Sequence, residues 1–500
     1  MEHRDHVSRR AFLGIATAGA AGAAFAAPPT IAAPHGRTCP VVAMDGTGDF
    51  GPETPGTTTS GIQEAIDAVH GAGGGTVALR RGVYMVDHSS APPEEARQFA
   101  CGQQSLGVYD DIALVGEGMD QTVIRTAAQC NTNALLGWQT FRVRIEDLTF
   151  DGAGLNKGYG IAIFGMGTSF HDVVVRRVRC LGFGGSAIGI AGGERVVLEQ
   201  CATSGAKIGF ELGAPSKDYW VLHCTAAECS NGTLILDPAD QFNEAGNLHP
   251  HIIGGRYDGG GTASGVALWD CYEPVVIGVT ALGGVTTNLQ IAPSGRPTIT
   301  TPVGGGLLLG CVAEGSHGSD AGRYGVGAFQ DGVRVIGCSI TGNEDAGVFA
   351  RPGAAGQVIV SQCTFHRGSD GAQQYAIVCG DGCALRASNN QHDGPPERFL
   401  GNASALAVPG SLVTGNTGFS PQGLLPPPAV PASGEWLAND RPWPVDIHVY
   451  AGIVSEISKR DAAGREGIVA NRTPAQVRLW PGEAIRLTYT GAPTWTWFGE

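Results

Sequence analysis

Lysine is nearly missing from this chain: among 500 residues only Lys157, Lys207, Lys217 and Lys459 carry an amine, and the formal net charge is −14. Phosphate binding needs a concentrated basic face, so nucleic acid is excluded as the main partner. An acidic sugar polymer is not excluded, because a groove can be locally basic. Charged residues make up 16% and aromatic residues 7%, yet 42% of the chain is hydrophobic, which rules out disorder and leaves material for a long core. Past the N-terminus no apolar run is long enough to span a bilayer, so the mature protein is expected to have no membrane span and to be soluble.

What is there instead is a repeat. Leu148, Val178, Cys201, Cys224, Gly255, Val279, Cys311, Cys338 and Cys363 each close one short phrase, in which two alternating apolar residues precede two residues of any kind and then a hydrophobic slot. Val196-Val-Leu198-Glu-Gln-Cys201 and Val333-Arg-Val335-Ile-Gly-Cys338 are examples. Alternation of period two reads as strands with one face inward, and a return interval of roughly 23 to 32 residues reads as a solenoid of such strands. No helix of ordinary length fits between them. Stacking each strand on its equivalent in the next turn predicts a parallel β-helix, and the 78 glycines suit a chain that turns a corner every few residues.

The N-terminus reads Ser8-Arg-Arg-Ala-Phe12-Leu13, then an Ala/Gly-rich stretch and small residues near Ala24-Phe-Ala26 and Ala33. A charged start, a short apolar core and an A-x-A site make residues 1–33 an export signal of twin-arginine type, placing the protein in the periplasm or outside the cell. Thirteen cysteines in an exported chain invite disulfides. Five of them, however, occupy the inward slot, where parallel neighbours lie about 4.8 Å apart and small apolar side chains stack. Those five are expected as buried, stacked thiols. Cys379 and Cys383 could bridge a turn; a zinc site would need a second ligand pair, which is not found.

Residues 48–86 carry a family resemblance. Gly48-Asp-Phe-Gly51 leads into Thr59-Ser-Gly-Ile62-Gln-Glu-Ala-Ile66-Asp-Ala-Val69, then Gly73-Gly-Gly-Thr76-Val-Ala-Leu79 and Gly82-Val-Tyr84-Met-Val86. Apolar residues 62, 65, 66 and 69 share one helix face, with Thr59 or Ser60 able to cap it. This resembles the opening of the pectate-lyase-like superfamily of right-handed parallel β-helix proteins. The resemblance implies an amphipathic helix plugging the N-terminal end of the solenoid, and it runs over roughly residues 40 to 420 through the repeat. Gly51-Pro-Glu-Thr-Pro55 and Arg81 depart from the usual pattern, so the match is to a broad superfamily and to no single activity.

The organisation expected is an export signal at 1–33, a parallel β-helix over 38–425, a proline-rich linker at 426–434 and a small β domain over 435–500. The last segment holds five of the eight tryptophans and several short alternating runs, which read as an antiparallel sandwich. Trp495 and Trp497 share one face; core packing is the expected use, with a sugar-stacking platform as the alternative.

A solenoid alone is a rod, so chemistry must sit on a strand face or a long loop. Aligning Ile208-Gly-Phe210-Glu211, Leu234-Ile-Leu236-Asp237 and Val266-Ala-Leu268-Trp269-Asp270 places Glu211 and Asp237 at one outward position on consecutive coils, with Asp270 one residue displaced. Carboxylates side by side push their pKa values apart, giving an acid and a base or nucleophile. A separation near about 5 Å suits a retaining glycosidase, and a wider pair such as Glu211 with Asp270 suits inversion. The polar loop from Asp237 to His251, with Asp240, Glu244 and His249, is expected to overhang this patch and, with Lys207, Lys217 and Trp269, to contact substrate.

These residues predict an enzyme cleaving an extracellular polysaccharide, most simply a glycoside hydrolase with paired carboxylates and no cofactor or metal. A polysaccharide lyase acting on a uronate polymer is the competitor; it needs a Lys or Arg base and brings in calcium held between Asp and Glu. A non-catalytic adhesin of tail-spike type, with the C-terminal domain forming a homotrimer, is the third reading.

Overall fold

The computed structural model describes residues 28–29 and 38–499, apart from short stretches at 88–89, 92, 95–102, 127–131, 166–169, 238–244, 296–298, 319–321, 354–355, 370, 418, 420–422 and 442. The export signal, Asp240 and Glu244 lie outside the described residues, the first save for residues 28 and 29.

The repeat phrase becomes two consecutive strands of a coil. An 11-stranded parallel sheet, from Gln104–Val108 at one end to Tyr375–Cys379 at the other, forms one side of the solenoid, and a 26-stranded sheet wraps the rest. The slot column runs in unbroken register: Leu148 pairs with Val178, and Ala202, Thr225, Arg256, Thr280, Val312, Ser339 and Thr364, each just after a slot, pair coil to coil. The phrase's two residues of any kind hide a rule. The residue before the slot has positive φ in every coil: Asp147 58°, Arg177 48°, Gln200 54°, His223 53°, Gly254 63°, Gly278 61°, Gly310 62°, Gly337 62° and Gln362 56°. That left-handed residue turns the corner between the two strands, which is why glycine recurs there. Where a side chain is present it is used: Arg177 donates two bonds to Asp147 of the coil below, at 2.6 and 2.7 Å.

Inside, the five slot cysteines are buried and unbridged. Each thiol donates to a carbonyl of the preceding coil, Cys201 to Val175 at 3.3 Å, Cys224 to Leu198 at 3.6 Å, Cys311 to Val276 at 3.6 Å, Cys338 to Leu308 at 3.7 Å and Cys363 to Val335 at 3.5 Å. They are core fillers, as the alternation implies. Cys379 and Cys383 are likewise buried and unbridged.

Helix Ile62–Gly71 closes the N-terminal end with Ile62, Ala65, Ile66 and Val69 buried. Its N-cap is Gly61, in a left-handed conformation with φ 85°, and not Thr59 or Ser60; the Thr59 hydroxyl, two residues earlier, accepts from the Gln63 amide at 3.1 Å and donates to Glu64 at 2.8 Å. Gln63 fixes the helix to the first coil by accepting from the Gly107 amide at 2.8 Å. Among the described residues no helix is long and apolar enough to cross a membrane.

At the other end two four-stranded antiparallel sheets form the expected sandwich, one from Gly423–Leu425, Val445–Tyr450, Ala475–Leu479 and Thr494–Gly499, the other from Trp436–Ala438, Ile453–Arg460, Glu466–Ala470 and Ala484–Gly491. Its first strand, Gly423–Leu425, falls before the proline-rich stretch and pairs with the last strand of the chain. Trp495 and Trp497 are buried in its core, as their shared face implies.

Candidate functional site

The outer face of the 11-stranded sheet gathers side chains that the core does not use. Strand Ile208–Gly213 sits in its middle, and register there decides what lies beside Glu211. Phe210 pairs with Leu234, so Glu211 stands next to Ile235 on one side and Gly189 on the other. The expected stack of Glu211 on Asp237 is therefore not formed. Asp237 follows Leu236, the partner of Leu212, and so lies one coil on and two residues along, at a backbone separation of about 8 Å. The physical reason is that residues 208, 210 and 212 are all apolar, and a slip of two keeps every side chain on its own face, so the hydrophobic pattern is blind to it.

Asp270 is corrected more strongly. It is fully buried, with φ 49°, and its Oδ1 accepts the Ser294 amide at 2.6 Å. Its carboxylate holds the backbone of the neighbouring coil and is closed to substrate. Lys217 and His249 lie on strands of the 26-stranded sheet or beside them; Lys217 pairs with Glu194 at 3.5 Å, and His249 with Glu273 at 3.7 Å. They do not reach this face, because one coil visits several faces within a few dozen residues. Lys207 is exposed just before strand Ile208–Gly213, on an open cavity of about 690 Å³ shared with Phe183, Glu228, Ser230 and Asn231. Trp269 does belong to the face, in register with Ala292.

What the strand alignment missed are the aromatics on either side of Glu211. Toward the N-terminal end, Trp138 and Tyr159 pack with Phe164, and the Tyr159 and Phe164 rings meet edge to face at 5.5 Å. They lie over Gly189, where a β-carbon would come within 2.8 Å of the Tyr159 ring. Toward the C-terminal end, Tyr324 stacks on Phe349 at 4.5 Å and Phe329 meets it edge-on at 5.7 Å. Gly327 makes room for that ring, since a β-carbon there would be 2.4 Å from Phe329. Burial, and after it the charge of Asp345, raises the Tyr324 phenol above its ordinary value. The findable signal was the residue after each inward pair, read down the sheet in true register.

Between these two aromatic banks Glu211 is half-buried, and Ser186 of the preceding coil donates its hydroxyl to the Glu211 carboxylate. The face thus offers flat apolar walls, one fixed carboxylate, a second acid on the diagonal and the amide of Gln290 in Glu211's own row. It can hold an elongated ligand with apolar and hydroxyl-bearing sides, and Glu211 can accept or return a proton. Among the described residues no three His, Cys, Asp or Glu side chains converge as a metal site. Glu211 and Asp237 are offset by two residues, and the Asp270 carboxylate is committed to the Ser294 amide.

A stacked-coil solenoid with a helical plug at its N-terminal end is a parallel β-helix, the fold that the opening residues imply. No known family model matches this chain. Over 144 residues, 26% of its length, it is 33% identical to the mannuronan C5-epimerase AlgE3 of Azotobacter vinelandii, and over 147 residues, again 26%, it is 33% identical to alginate lyase 7 of the same organism. Those matches span 7% and 16% of the two relatives. Among solved structures, the catalytic domain of a GH87 α-1,3-glucanase in complex with nigerose shares the fold at a TM-score of 0.53 and 12% identity, over 78% of this chain and 70% of that one.

Proposed function

We propose that this protein is exported and acts on a uronate-containing polysaccharide, laid along the outer face of the 11-stranded sheet with its reacting ring over Glu211. The observation that carries the reading is the position of Glu211 between two aromatic banks, with no carboxylate beside it in its own row. Pyranose rings present apolar faces to such walls, and a single oriented carboxylate suits removal of the proton beside a uronate carboxyl better than it suits double displacement, which needs two carboxyls about 5 Å apart. Proton removal at that carbon is the step common to epimerisation and to lyase cleavage. The partial sequence relatives, named as mannuronan epimerases and an alginate lyase, support the same substrate class. Ser186 holds Glu211 in place, and Lys207 lies at the near edge of the sheet, where it can meet a substrate carboxylate.

A second reading rests on the diagonal. Glu211 and Asp237 stand on neighbouring coils two residues out of register, an offset that leaves room for the water an inverting glycosidase places between acid and base. The two separate in one experiment: incubate the protein with polymannuronate, polygalacturonate and neutral glucans, and follow unsaturated uronate absorbance, new reducing ends and solvent deuterium entering the polymer. Deuterium uptake or unsaturated ends, abolished in Glu211→Gln with the melting transition in place, is expected. Reducing ends without either would establish the hydrolase, and silence on every polymer would leave an adhesin.

A further inference from the structure

The exposed large aromatic side chains among the described residues are Tyr450, Trp480 and Phe498, at 41, 47 and 40% exposure. All three stand on one surface, the outer face of the sheet that contains Val445–Tyr450, Ala475–Leu479 and Thr494–Gly499, while the alternate residues Ile447, Leu479, Trp495 and Trp497 fill the sandwich core. The core therefore does not need these rings. Pairing sets them in a plan: Phe498 opposes Asp446, Asp446 opposes Arg478, and Trp480 follows two residues beyond Arg478 on the same side. His448 and Gln476 form the next row.

Two of the rings are held. The His448 ring meets Phe498 edge to face at 5.4 Å, and the Arg478 guanidinium lies 5.7 Å from the centre of the Trp480 ring. A carboxylate, a guanidinium, an amide and an imidazole thus alternate with flat apolar surfaces. Strand spacing and rise set Phe498 and Trp480 about 12 Å apart, leaving room for sugar between them. Rings fixed before binding lose little freedom on contact, and hydrogen-bonding groups between platforms match a ligand whose faces are C–H and whose edges are hydroxyl.

We propose that this outer face is a second carbohydrate-binding site, separate from the solenoid face, taking pyranose rings of an extended polysaccharide on Trp480 and Phe498 with Asp446, Gln476 and Arg478 bonding their hydroxyl edges. It rests on the polysaccharide reading above. The full-length protein is run through gels containing polymannuronate, polygalacturonate or galactomannan, with Trp480→Ala, Phe498→Ala and Trp480→Phe alongside and melting curves for each. Retardation of the wild type by at least one polymer is expected, with affinity about tenfold lower in each alanine variant, one stacked ring's worth, and kept in Trp480→Phe. Free migration of the wild type in all three gels, or equal retardation of the folded alanine variants, overturns the proposal. Retardation that needs Trp480, in a protein without turnover on any polymer, sinks the catalytic reading and leaves this one standing.

Discussion

Replacing Asp270 should cost stability and spare chemistry. Asp270 ends strand Ser264–Trp269 in a left-handed conformation, with its amide donating to Ala292 at 2.9 Å, its carbonyl accepting from Asn247 at 2.9 Å, and its carboxylate on the Ser294 amide at 2.6 Å. One residue thus ties three coils together. Removing the carboxylate forfeits a hydrogen bond to a charged acceptor, about 1.5 to 3 kcal/mol, reduced where water reaches the half-buried Ser294. Alanine also tolerates a left-handed backbone less well than aspartate, adding up to about 1 kcal/mol. Asp270→Ala should therefore lose about 2 to 3 kcal/mol in urea unfolding, and Asp270→Asn, which keeps an acceptor oxygen, less than about 1.5 kcal/mol. Turnover per folded molecule should stay within a factor of two of wild type in both. An Asp270→Asn protein with an unchanged unfolding midpoint and no activity would refute the reasoning, because the charge itself would then be at work on substrate.

Two further outcomes test the interior. His392 lies buried beneath Phe365 with no hydrogen-bond partner for either ring nitrogen among the described residues, and burial lowers its pKa from 6.5. The folded state then binds fewer protons than the unfolded one, so the stability is full above pH 6.5 and falls as the pH drops, by up to about 1.4 kcal/mol per pH unit. His392→Phe should flatten that slope in chemical unfolding between pH 6.5 and 5, leaving the share from His251, which burial lowers likewise. In the slot column, Cys338→Val should shift the unfolding midpoint by less than about 1.5 kcal/mol, since Val178 and Val279 fill equivalent slots, and thiol reagents should reach the five slot cysteines only after unfolding. A wild-type midpoint that drops on adding reductant would show disulfides instead.

The slot column, the capping helix and the terminal sandwich were legible because each rests on a periodicity that burial enforces. Slots Leu148 to Cys363 need only in-and-out alternation to be placed, and Ile62, Ala65, Ile66 and Val69 only a 3.6-residue period. The candidate site needed more. Glu211 and Asp237 are both outward, as read, but which outward row each occupies depends on a two-residue register that leaves no trace in the hydrophobic pattern. Lys217 and His249 were joined to the patch through nearness in sequence, which in a solenoid carries a residue round a corner to another side. Asp270 was legible as an acid near the face; that it turns inward to Ser294 follows from its left-handed backbone.

The left-handed corner residue has a consequence for how such a chain can change in length. Since each bend is made by one residue's own backbone and not by a partner elsewhere, a coil is a self-contained cassette. Val333 and Val358 occupy equivalent places, so a chain spliced from Gly332 directly to Val358 would keep the strands in register while taking Phe349 out of its aromatic bank. Duplication and excision at that seam lengthen or shorten the solenoid wall one coil at a time.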